Sequence, residues 1–289
     1  MFGQERFAEV NVVFNDRFAR LGTLIAVHRG TGMASIAENT AGAVTAAVAS
    51  GGDIVEIDAV SSTDGEFFAF HDGYETELLG AGQNLRKLTA ARIRALSYRY
   101  VDRPGRTVRV APLLELLGAF RGDTLFNVDR SWDWWDALLP ALDSLDMAGQ
   151  LLLKCRGWGD QADLLRDHPV KYPFMPICAT LEQAHRYLDD PLLNTVGVEL
   201  LATDTGSPFL DPGVLADLRE RGVFTMVNAE VLTTGVDLFA GYDDETAVLR
   251  SPDEGWGPLF DLGVDVIQTD WPWLLRDYRG VRPGSLVRT

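Results

Sequence analysis

The sequence of 289 residues has few cysteines, an excess of acidic over basic residues and no long apolar run. Its two cysteines, Cys155 and Cys178, are too few for a disulfide framework; both lie in apolar segments, which favours buried free thiols and leaves one disulfide open. With 42 acidic and 26 basic residues, the formal net charge is -16 at pH 7. Such a chain has no general attraction for nucleic acid or anionic membranes, so binding a phosphate requires a local site such as a metal ion.

No window reaches the roughly 18–20 apolar residues of a membrane span, and the N-terminus shows no basic segment followed by a long apolar stretch. We therefore expect no stable membrane association and a cytoplasmic location. Hydrophobic residues make up 46% of the chain, which is ordinary for a globular protein and sufficient for a core of normal size. Nothing in the sequence indicates the oligomeric state.

Short apolar runs alternate with helix-like segments along most of the chain. Strands that alternate with helices are typical of βα units and a parallel sheet. We therefore predict an α/β fold, a TIM (β/α)8 barrel, formed by residues 1–289 as a single domain. Nine runs are predicted to be strands: 24–30, 53–60, 67–73, 125–130, 151–157, 174–180, 195–201, 224–230 and 264–270.

One pair of runs interrupts this regular pattern. The runs 53–60 and 67–73 are joined by the short link SSTDGE, whose Asp-Gly is typical of a tight turn. Strands joined so tightly should be antiparallel neighbours, so one of them is the strand in excess of eight. The following stretch, about 74–110, is charged and rich in glycine, and we interpret it as an insertion in the barrel.

Several predicted strands end in polar residues. His28 and Arg29 close the first run, His71 and Asp72 the third, and Asp129 the fourth; Glu56 and Asp58 lie within the second, Lys154 ends the fifth, and Glu199 lies near the end of the seventh. Active-site groups of a TIM barrel come from the carboxyl ends of its strands. The pattern therefore predicts a shared site at the barrel mouth.

The pair Glu56 and Asp58 suggests a metal site. Residues two apart in a strand project from the same face, and two carboxylates on one face repel unless a cation or a shared proton relieves them. A hard divalent cation with oxygen ligands does this well. The alternative is a solvated face of an edge strand, but Asp129 at the end of another strand favours the metal.

The chain has only four histidines, and two of them occupy strand ends. His28 and His71 are therefore candidates for acid–base chemistry, whereas His168 and His185 fall in helical or loop segments and are expected at the surface. Arg29 directly follows His28, and its guanidinium suits bidentate binding of phosphate oxygens.

These elements occur in a characteristic order: His-Arg-Gly at 28–30, Glu-Asn-Thr at 38–40, Glu-x-Asp at 56–58, Thr-Asp-Gly at 63–65 and His-Asp at 71–72. In this order and spacing the sequence resembles the glycerophosphodiester phosphodiesterase family. VAPLLELL (110–117) and GVDVIQTDWP (263–272) are similar to later segments of that family. The resemblance extends from about residue 24 to 278.

The resemblance implies a TIM barrel with a small insertion after the second histidine, and hydrolysis of a glycerophosphodiester to an alcohol and sn-glycerol 3-phosphate. It also implies one divalent cation, Mg²⁺ or Ca²⁺, held by Glu56, Asp58 and Asp129; we add Glu199 as a fourth candidate ligand. His28 and His71 would be the general acid and base, in an order that stays open. The nucleophile, glycerol 2-hydroxyl or water, stays open too.

The chain departs from the family after the fourth run. The family usually has Asn-Ile-Glu-x-Lys, with Glu on the metal and Lys near the phosphate, where this chain has Asn127 to Ser131 with Asp129 in the place of Glu. Lys154 on the next strand could supply the missing charge. Asn228 and Trp256 are further candidates for the substrate pocket. Most of the tryptophans are expected to pack helices; the alternative is a cage for a quaternary ammonium group.

Two other functions remain open. A lyase on the same scaffold, similar to phospholipases D that form cyclic phosphates, would share the two histidines and Glu-x-Asp. A non-catalytic phosphoester-binding protein is a further alternative, because the family lysine is absent from its usual place. The expected partner is a small-molecule phosphodiester substrate.

Overall fold

Eight parallel strands close into a barrel in the computed structural model, which describes residues 1–30, 36–100 and 105–282. Strand β1 (Leu24–Val27) pairs on one side with β10 (Val266–Thr269), with Leu24 opposite Val266, and on the other with β2 (Ile54–Ser61), with Ala26 opposite Ile54, so the ring is closed. The predicted TIM barrel is confirmed. Its strands are β1 (Leu24–Val27), β2 (Ile54–Ser61), β5 (Leu125–Asp129), β6 (Leu151–Arg156), β7 (Phe174–Cys178), β8 (Gly197–Leu200), β9 (Phe224–Asn228) and β10 (Val266–Thr269).

Two short strands extend β2 away from the barrel. Strand β3 (Phe67–Ala69) pairs antiparallel with β2, as the tight SSTDGE link predicted, and β4 (Ala111–Pro112) pairs antiparallel with β3. All nine predicted runs contain a strand. Strand β4 was not predicted, because two residues carry no detectable alternation.

Helices cover the outside of the barrel. Alternate strand residues such as Val128 and Leu153 face outwards and are buried in one core with helix residues such as Trp135 and Leu138. The α-helices are α1 (Ala8–Leu21), α2 (Ala41–Ala49), α3 (Ala90–Arg94), α4 (Leu113–Gly118), α5 (Trp135–Asp143), α6 (Ala162–Asp167), α7 (Leu181–Leu188), α8 (Pro212–Glu220), α9 (Asp244–Leu249), α10 (Pro252–Gly255), α11 (Gly257–Asp261) and α12 (Pro272–Val281). Short 3-10 turns lie at Glu5–Phe7, His28–Gly30, Leu85–Lys87, Trp132–Trp134, Ala148–Gln150 and Pro208–Leu210, and a π-helical turn at Glu75–Leu79.

Helix α1 closes the amino-terminal end of the barrel. Its Phe14 is 1% exposed and packs in an apolar cluster with Ala26, Ile54 and Leu152, which project inwards from three strands. Because this end is filled with apolar side chains, the polar inner residues can meet only towards the opposite end of the barrel. The site is therefore displaced to the carboxyl ends of the strands, as expected for this fold.

The predicted insertion forms a small core of its own. Between β3 and β4, residues such as Leu79, Leu85 and Ile93 are buried against Val60 of β2 and Phe68 of β3. This packing anchors the turn that carries His71 just after β3. Residues 101–104 of the predicted insertion lie outside the described residues.

Both cysteines are buried free thiols, and burial raises the pKa of Cys155 to about 12. In the described part of the chain, no helix combines the length and the apolar character that crossing a bilayer requires. The cytoplasmic location stays a prediction.

Candidate active site

Three carboxylates meet at the barrel mouth. Glu56 and Asp58 lie on β2 and Asp129 ends β5, and one oxygen from each lies within 4.8 Å of the others. The strand register explains the meeting, since Asp58 stands directly opposite Asp129 in the parallel pair. Glu56 and Asp58 are 1% and 2% exposed, so the solvated edge face considered from the sequence does not occur.

The carboxyl group of Glu56 lies in unfavourable electrostatic surroundings. Its Oε2 accepts a hydrogen bond from the backbone N–H of Arg29 at 2.7 Å, whereas its buried Oε1 has no partner among the described residues. Burial, together with the charges of Asp58 and Asp129, raises the pKa of Glu56 well above its ordinary value. A buried acceptor without a donor, beside two further carboxylates, fits a divalent cation.

Asp58 is held by Asn39, which the sequence analysis named only as part of a motif. The Asn39 side chain donates to Asp58 Oδ2 at 3.0 Å and accepts from the Asp58 backbone N–H at 2.9 Å. Arg29 Nε also lies 3.5 Å from the same carboxylate oxygen. The Glu-Asn-Thr segment thus fixes the orientation of one of the three carboxylates.

Lys154 lies beneath this group and neutralises part of it. Its Nζ lies 2.9 Å from Asp129 Oδ2 and 2.9 Å from Glu199 Oε2, and the residue is 1% exposed. Burial acts to raise the pKa of Asp129, but the charge and hydrogen bond of Lys154 lower it below its ordinary value. The same two carboxylates raise the pKa of Lys154 despite its burial.

The structure does not bring Glu199 into the carboxylate group. Its Oε2 accepts from Lys154, and its Oε1 accepts from Asn228 Nδ2 at 2.8 Å. Both oxygens are therefore engaged, so Glu199 is a partner of Lys154 and does not join the three carboxylates, as the sequence had suggested it would. The position of Glu199 near the end of β8 could not reveal this pairing, because Lys154 lies on β6, two strands away along the barrel.

Replacement of Lys154 by methionine is expected to destabilise the fold by about 3–5 kcal/mol, because it leaves the buried Glu199 and the partly buried Asp129 without their shared cation. Urea denaturation measures the change. The double variant Lys154→Met with Glu199→Gln should recover part of the loss, since one of the two orphaned charges is removed. A single variant as stable as the wild type would contradict this account of the pair.

His28 immediately follows β1 and is oriented by Asp270, which follows β10. Its Nδ1 lies 2.9 Å from Asp270 Oδ1. Burial acts to lower the pKa of His28, but the hydrogen bond to Asp270 and the charges of Glu230, Asp270 and Glu56 raise it to about 10. His28 is therefore a cation at neutral pH, with Nε2–H as its remaining donor.

Asp270 is itself positioned by a buried residue, Asp244. The backbone N–H of Asp270 donates to Asp244 Oδ2 at 2.8 Å, and Asp244 Oδ1 accepts from the Trp256 indole at 2.8 Å. Trp256 is 1% exposed and packs against Tyr278. The structure therefore places Trp256 in the core behind the site and not in the substrate pocket, where the sequence analysis had predicted it.

His71 differs from His28 in its surroundings. Its Nδ1 lies 3.0 Å from the backbone carbonyl of Asp72, which can only accept, so Nδ1 carries the proton and Nε2 keeps its lone pair. Burial lowers the pKa of His71 below its ordinary value; the charge of Asp58 opposes this, and Arg29 and Arg130 reinforce it. The two histidines thus differ in charge at neutral pH.

Arg29 has a left-handed backbone, with φ 51°, in the 3-10 turn His28–Gly30. Its Nη1 donates to Glu38 Oε1 at 3.0 Å, and its guanidinium lies 4.8 Å from the centre of the Tyr74 ring. These contacts orient the guanidinium at the wall of the main cleft.

The main cleft at the mouth has a volume of about 420 Å³. Its lining combines charged, aromatic and aliphatic side chains: His28, Arg29, Glu38, Tyr74, Leu78, Val231, Leu232, Thr233, Asp270 and Trp271. Asn228, predicted to contact substrate, borders a smaller cavity of about 30 Å³ together with Glu230. Of the tryptophans considered for an ammonium cage, Trp271 reaches the main cleft, whereas Trp135 is fully buried.

The sequence did not reveal Asp270, Tyr74 or the role of Glu38. Asp270 could have been found, because it ends a predicted strand, the run 264–270, in the same way as the other candidates. The remaining two histidines lie elsewhere: His168 is hydrogen-bonded to Asp143, and His185 is exposed on α7.

The fold is a TIM barrel, and the cluster of histidines, carboxylates and arginine at its mouth is suited to phosphodiester chemistry. Residues 28–138, which carry both histidines and all three carboxylates, match the glycerophosphoryl diester phosphodiesterase family, and residues 174–279 match a domain of unknown function. The match confirms the predicted resemblance to this family over residues 28–138, and with it the predicted enzyme class.

Solved structures show the same fold at low sequence identity. A glycerophosphoryl diester phosphodiesterase from Parabacteroides distasonis is 18% identical with a TM-score of 0.72, over 95% of this chain and 94% of the other. An enzyme of the same type from Thermotoga maritima is 18% identical with a TM-score of 0.63, over 89% and 98%. A phosphodiesterase from Oleispira antarctica, solved with the product sn-glycerol-3-phosphate, is 17% identical with a TM-score of 0.62, over 90% and 98%. No curated protein sequence matches the chain.

Proposed function

We propose that the chain, acting as a single barrel domain, hydrolyses glycerophosphodiesters to an alcohol and sn-glycerol 3-phosphate in a reaction that requires one divalent cation. The observation that carries this proposal is the carboxylate group of Glu56, Asp58 and Asp129, beside Arg29 and a cleft of about 420 Å³. Hydrolysis of a phosphodiester needs positive charge around the phosphoryl group and a proton donor and acceptor on either side. All of these groups are present at one mouth.

The cation would be Mg²⁺ or Ca²⁺, because the three candidate ligands are carboxylates, which hard divalent ions prefer. The orphaned Oε1 of Glu56 and the raised pKa of its carboxyl group support this assignment. A bound divalent ion supplies charge neutralisation and polarises the phosphoryl group. Arg29, at the cleft wall, would bind a phosphoryl oxygen, and Lys154 beneath Asp129 would limit the net negative charge under the substrate.

The opposite pKa shifts of the two histidines support different roles for them. We propose that His71, whose pKa is lowered, accepts the proton of the attacking oxygen at Nε2. His28, whose pKa is about 10, would protonate the leaving alkoxide through its own Nε2. Groups whose surroundings push their pKa values apart are suited to act as base and acid at the same pH. Asp270 would stabilise the cationic form of His28 and fix its ring.

Replacement of Asp270 by asparagine is expected to move the alkaline limb of the rate profile. Activity requires neutral His71 and cationic His28, so the rate rises with pH through the lowered pKa of His71 and falls through about 10, the pKa of His28. Loss of the Asp270 charge should lower the apparent pKa of the alkaline limb by about 1–3 units. The apparent pKa of the acid limb should stay unchanged. An unchanged alkaline limb in the kcat–pH profile would contradict the assignment of His28.

A panel of diesters with choline, ethanolamine, inositol and glycerol as leaving alcohols tests the function. ³¹P NMR should show sn-glycerol 3-phosphate as the final product. An accumulating cyclic phosphate that is never opened would favour the lyase. A transient cyclic phosphate identifies the glycerol 2-hydroxyl as nucleophile, and direct release identifies water. No product from any diester, with Mg²⁺ or Ca²⁺ present, would favour a non-catalytic binding protein.

A further inference from the structure

The inner face of β6 carries three residues at successive heights in the barrel. Leu152 packs in the apolar cluster at the closed end, Lys154 reaches Asp129 in the middle, and Arg156 ends the strand and is exposed. Residues two apart in a strand are separated by about 6.6 Å. Arg156 therefore lies on the open side of Lys154, at the rim of the mouth.

The guanidinium of Arg156 is held against an aromatic ring. It lies 5.4 Å from the centre of the Trp132 ring, and Trp132, three residues after Asp129, is only 6% exposed. Stacking on an aromatic ring restricts an arginine side chain and leaves the edges of its planar group available for hydrogen bonds. Stacking on Trp132 thus fixes the position of the Arg156 guanidinium without using its N–H donors.

Other cationic side chains at the carboxyl ends of the barrel strands are each paired with at least one carboxylate. Arg29 pairs with Glu38 at 3.0 Å, Arg130 with Asp72 at 2.8 Å, and Lys154 with Asp129 and Glu199. By contrast, the Arg156 guanidinium forms neither an ion pair nor a hydrogen bond with any residue in the described ranges. In a chain of net charge -16, an arginine so placed has its donors free for a ligand.

We propose that Arg156, stacked on Trp132, binds an anionic oxygen group of the substrate. This inference rests on the proposed function, and it adds a recognition residue on the wall formed by β6. Strand β6 lies between the segments that match the two family models, residues 28–138 and 174–279, so neither match covers Arg156 itself. The ligand chemistry is a phosphate or carboxylate oxygen, supplied either by the diester itself or by a second anionic group on the leaving alcohol.

Two substrates distinguish the sources of this oxygen. Glycerophosphocholine has the diester as its single anionic group, whereas glycerophosphoinositol 4-phosphate carries a second phosphate on the alcohol. Replacement of Arg156 by alanine should lower kcat/KM by about 10- to 100-fold, the range for a lost charged hydrogen bond. If kcat/KM falls with both substrates, Arg156 binds the diester phosphoryl group. If it falls only with glycerophosphoinositol 4-phosphate, Arg156 binds the phosphate on the alcohol.

The controls separate a specific contact from a change of charge or fold. The matched variant is Arg221→Ala. Arg221 lies on the surface just after α8, at the closed end of the barrel, and pairs with Asp189. Its loss should leave kcat/KM within about twofold of the wild type. Arg156→Lys, which keeps the charge but not the planar fork, should recover only part of the loss. Trp132→Leu should raise KM more than it lowers kcat. If Arg156→Ala stays within twofold of the wild type on both substrates, the proposal is overturned.

A binding measurement separates this proposal from the proposed function. Calorimetric titration with sn-glycerol 3-phosphate and with inositol 4-phosphate should show that at least one of them binds more weakly to the Arg156→Ala variant. The wild type could turn over no diester and still bind the anion more tightly than the Arg156→Ala variant does. In that case the proposed function fails and the anion site stands. Equal binding of both ligands by wild type and variant contradicts the anion site, whatever the turnover.

Discussion

Replacement of His71 by alanine is expected to reduce kcat by about 100- to 10,000-fold, the usual contribution of a general base. Its pKa is lowered by burial and by two arginines, and Nε2 is left as the free acceptor, so no other described side chain at the mouth is equally suited to take the proton. Binding of Mg²⁺ or Ca²⁺ should survive, because the three carboxylates are untouched. Steady-state kinetics and calorimetric titration with the cation check both parts.

The assignment of base and acid is tested by the leaving group. The His28→Ala variant should lose a similar factor on glycerophosphocholine, but should recover most of its activity on bis(p-nitrophenyl) phosphate, whose phenolate leaves without a proton. The His71→Ala variant should stay slow on both, since attack still needs a base. His185→Ala, an exposed histidine on α7, is the matched control. The reverse pattern would exchange the two roles, and near-native turnover by either variant would show that the pair is misassigned.

Replacement of Glu56 by glutamine should abolish cation-dependent turnover and, without cation, make the fold more stable. The Gln amide oxygen can still accept from the Arg29 backbone N–H, but the buried charge and its repulsion by Asp58 and Asp129 disappear. The variant is therefore expected to be more stable than the cation-free wild type at neutral pH, as measured by urea denaturation in the presence of chelator.

The pH dependence gives this prediction a sign. A carboxyl group whose pKa is raised on folding binds a proton more tightly in the native state, so it destabilises the fold progressively as pH rises above the unfolded value. The difference in stability between Glu56→Gln and the wild type should therefore be small near pH 4 and grow towards neutral pH. Glu182→Gln, at an exposed position on α7, should show no such trend. A variant less stable than the cation-free wild type at neutral pH would contradict the account of Glu56.

Most of the barrel and the centre of the site could be predicted from local patterns. The strands are short apolar runs, and His28, Glu56, Asp58 and Asp129 stand at or near their ends, where parallel register brings them together. Helix α1 was not predicted. It fills the closed end of the barrel, and its own sequence does not indicate that it packs beneath the eight strands.

The roles that could not be predicted depend on partners distant in sequence. His28 acquires its raised pKa from Asp270, which is 242 residues away. Glu199 is engaged by Lys154 and Asn228 from two other strands, and Trp256 is withdrawn into the core by its bond to Asp244. A residue's type and its place at a strand end are local properties, but whether its atoms are already committed is decided by packing.

The departure from the family pattern after β5 also has a structural answer. Lys154 does supply positive charge next to Asp129, but from below, where it is 1% exposed and does not border the main cleft. The positive charge that faces the open side of β6 belongs to Arg156. Substrate contacts on this side are therefore expected to differ from those implied by the family motif.

The most direct test of the central claim is the release of sn-glycerol 3-phosphate from glycerophosphocholine by the wild-type chain, measured after thorough chelation and again after addition of Mg²⁺ or Ca²⁺. If choline is not an accepted alcohol, the best diester of the panel takes its place. We predict no release after chelation and restored release with the cation, in wild type but not in Glu56→Gln. Equal release with and without the cation would contradict a metal-dependent site at Glu56, Asp58 and Asp129.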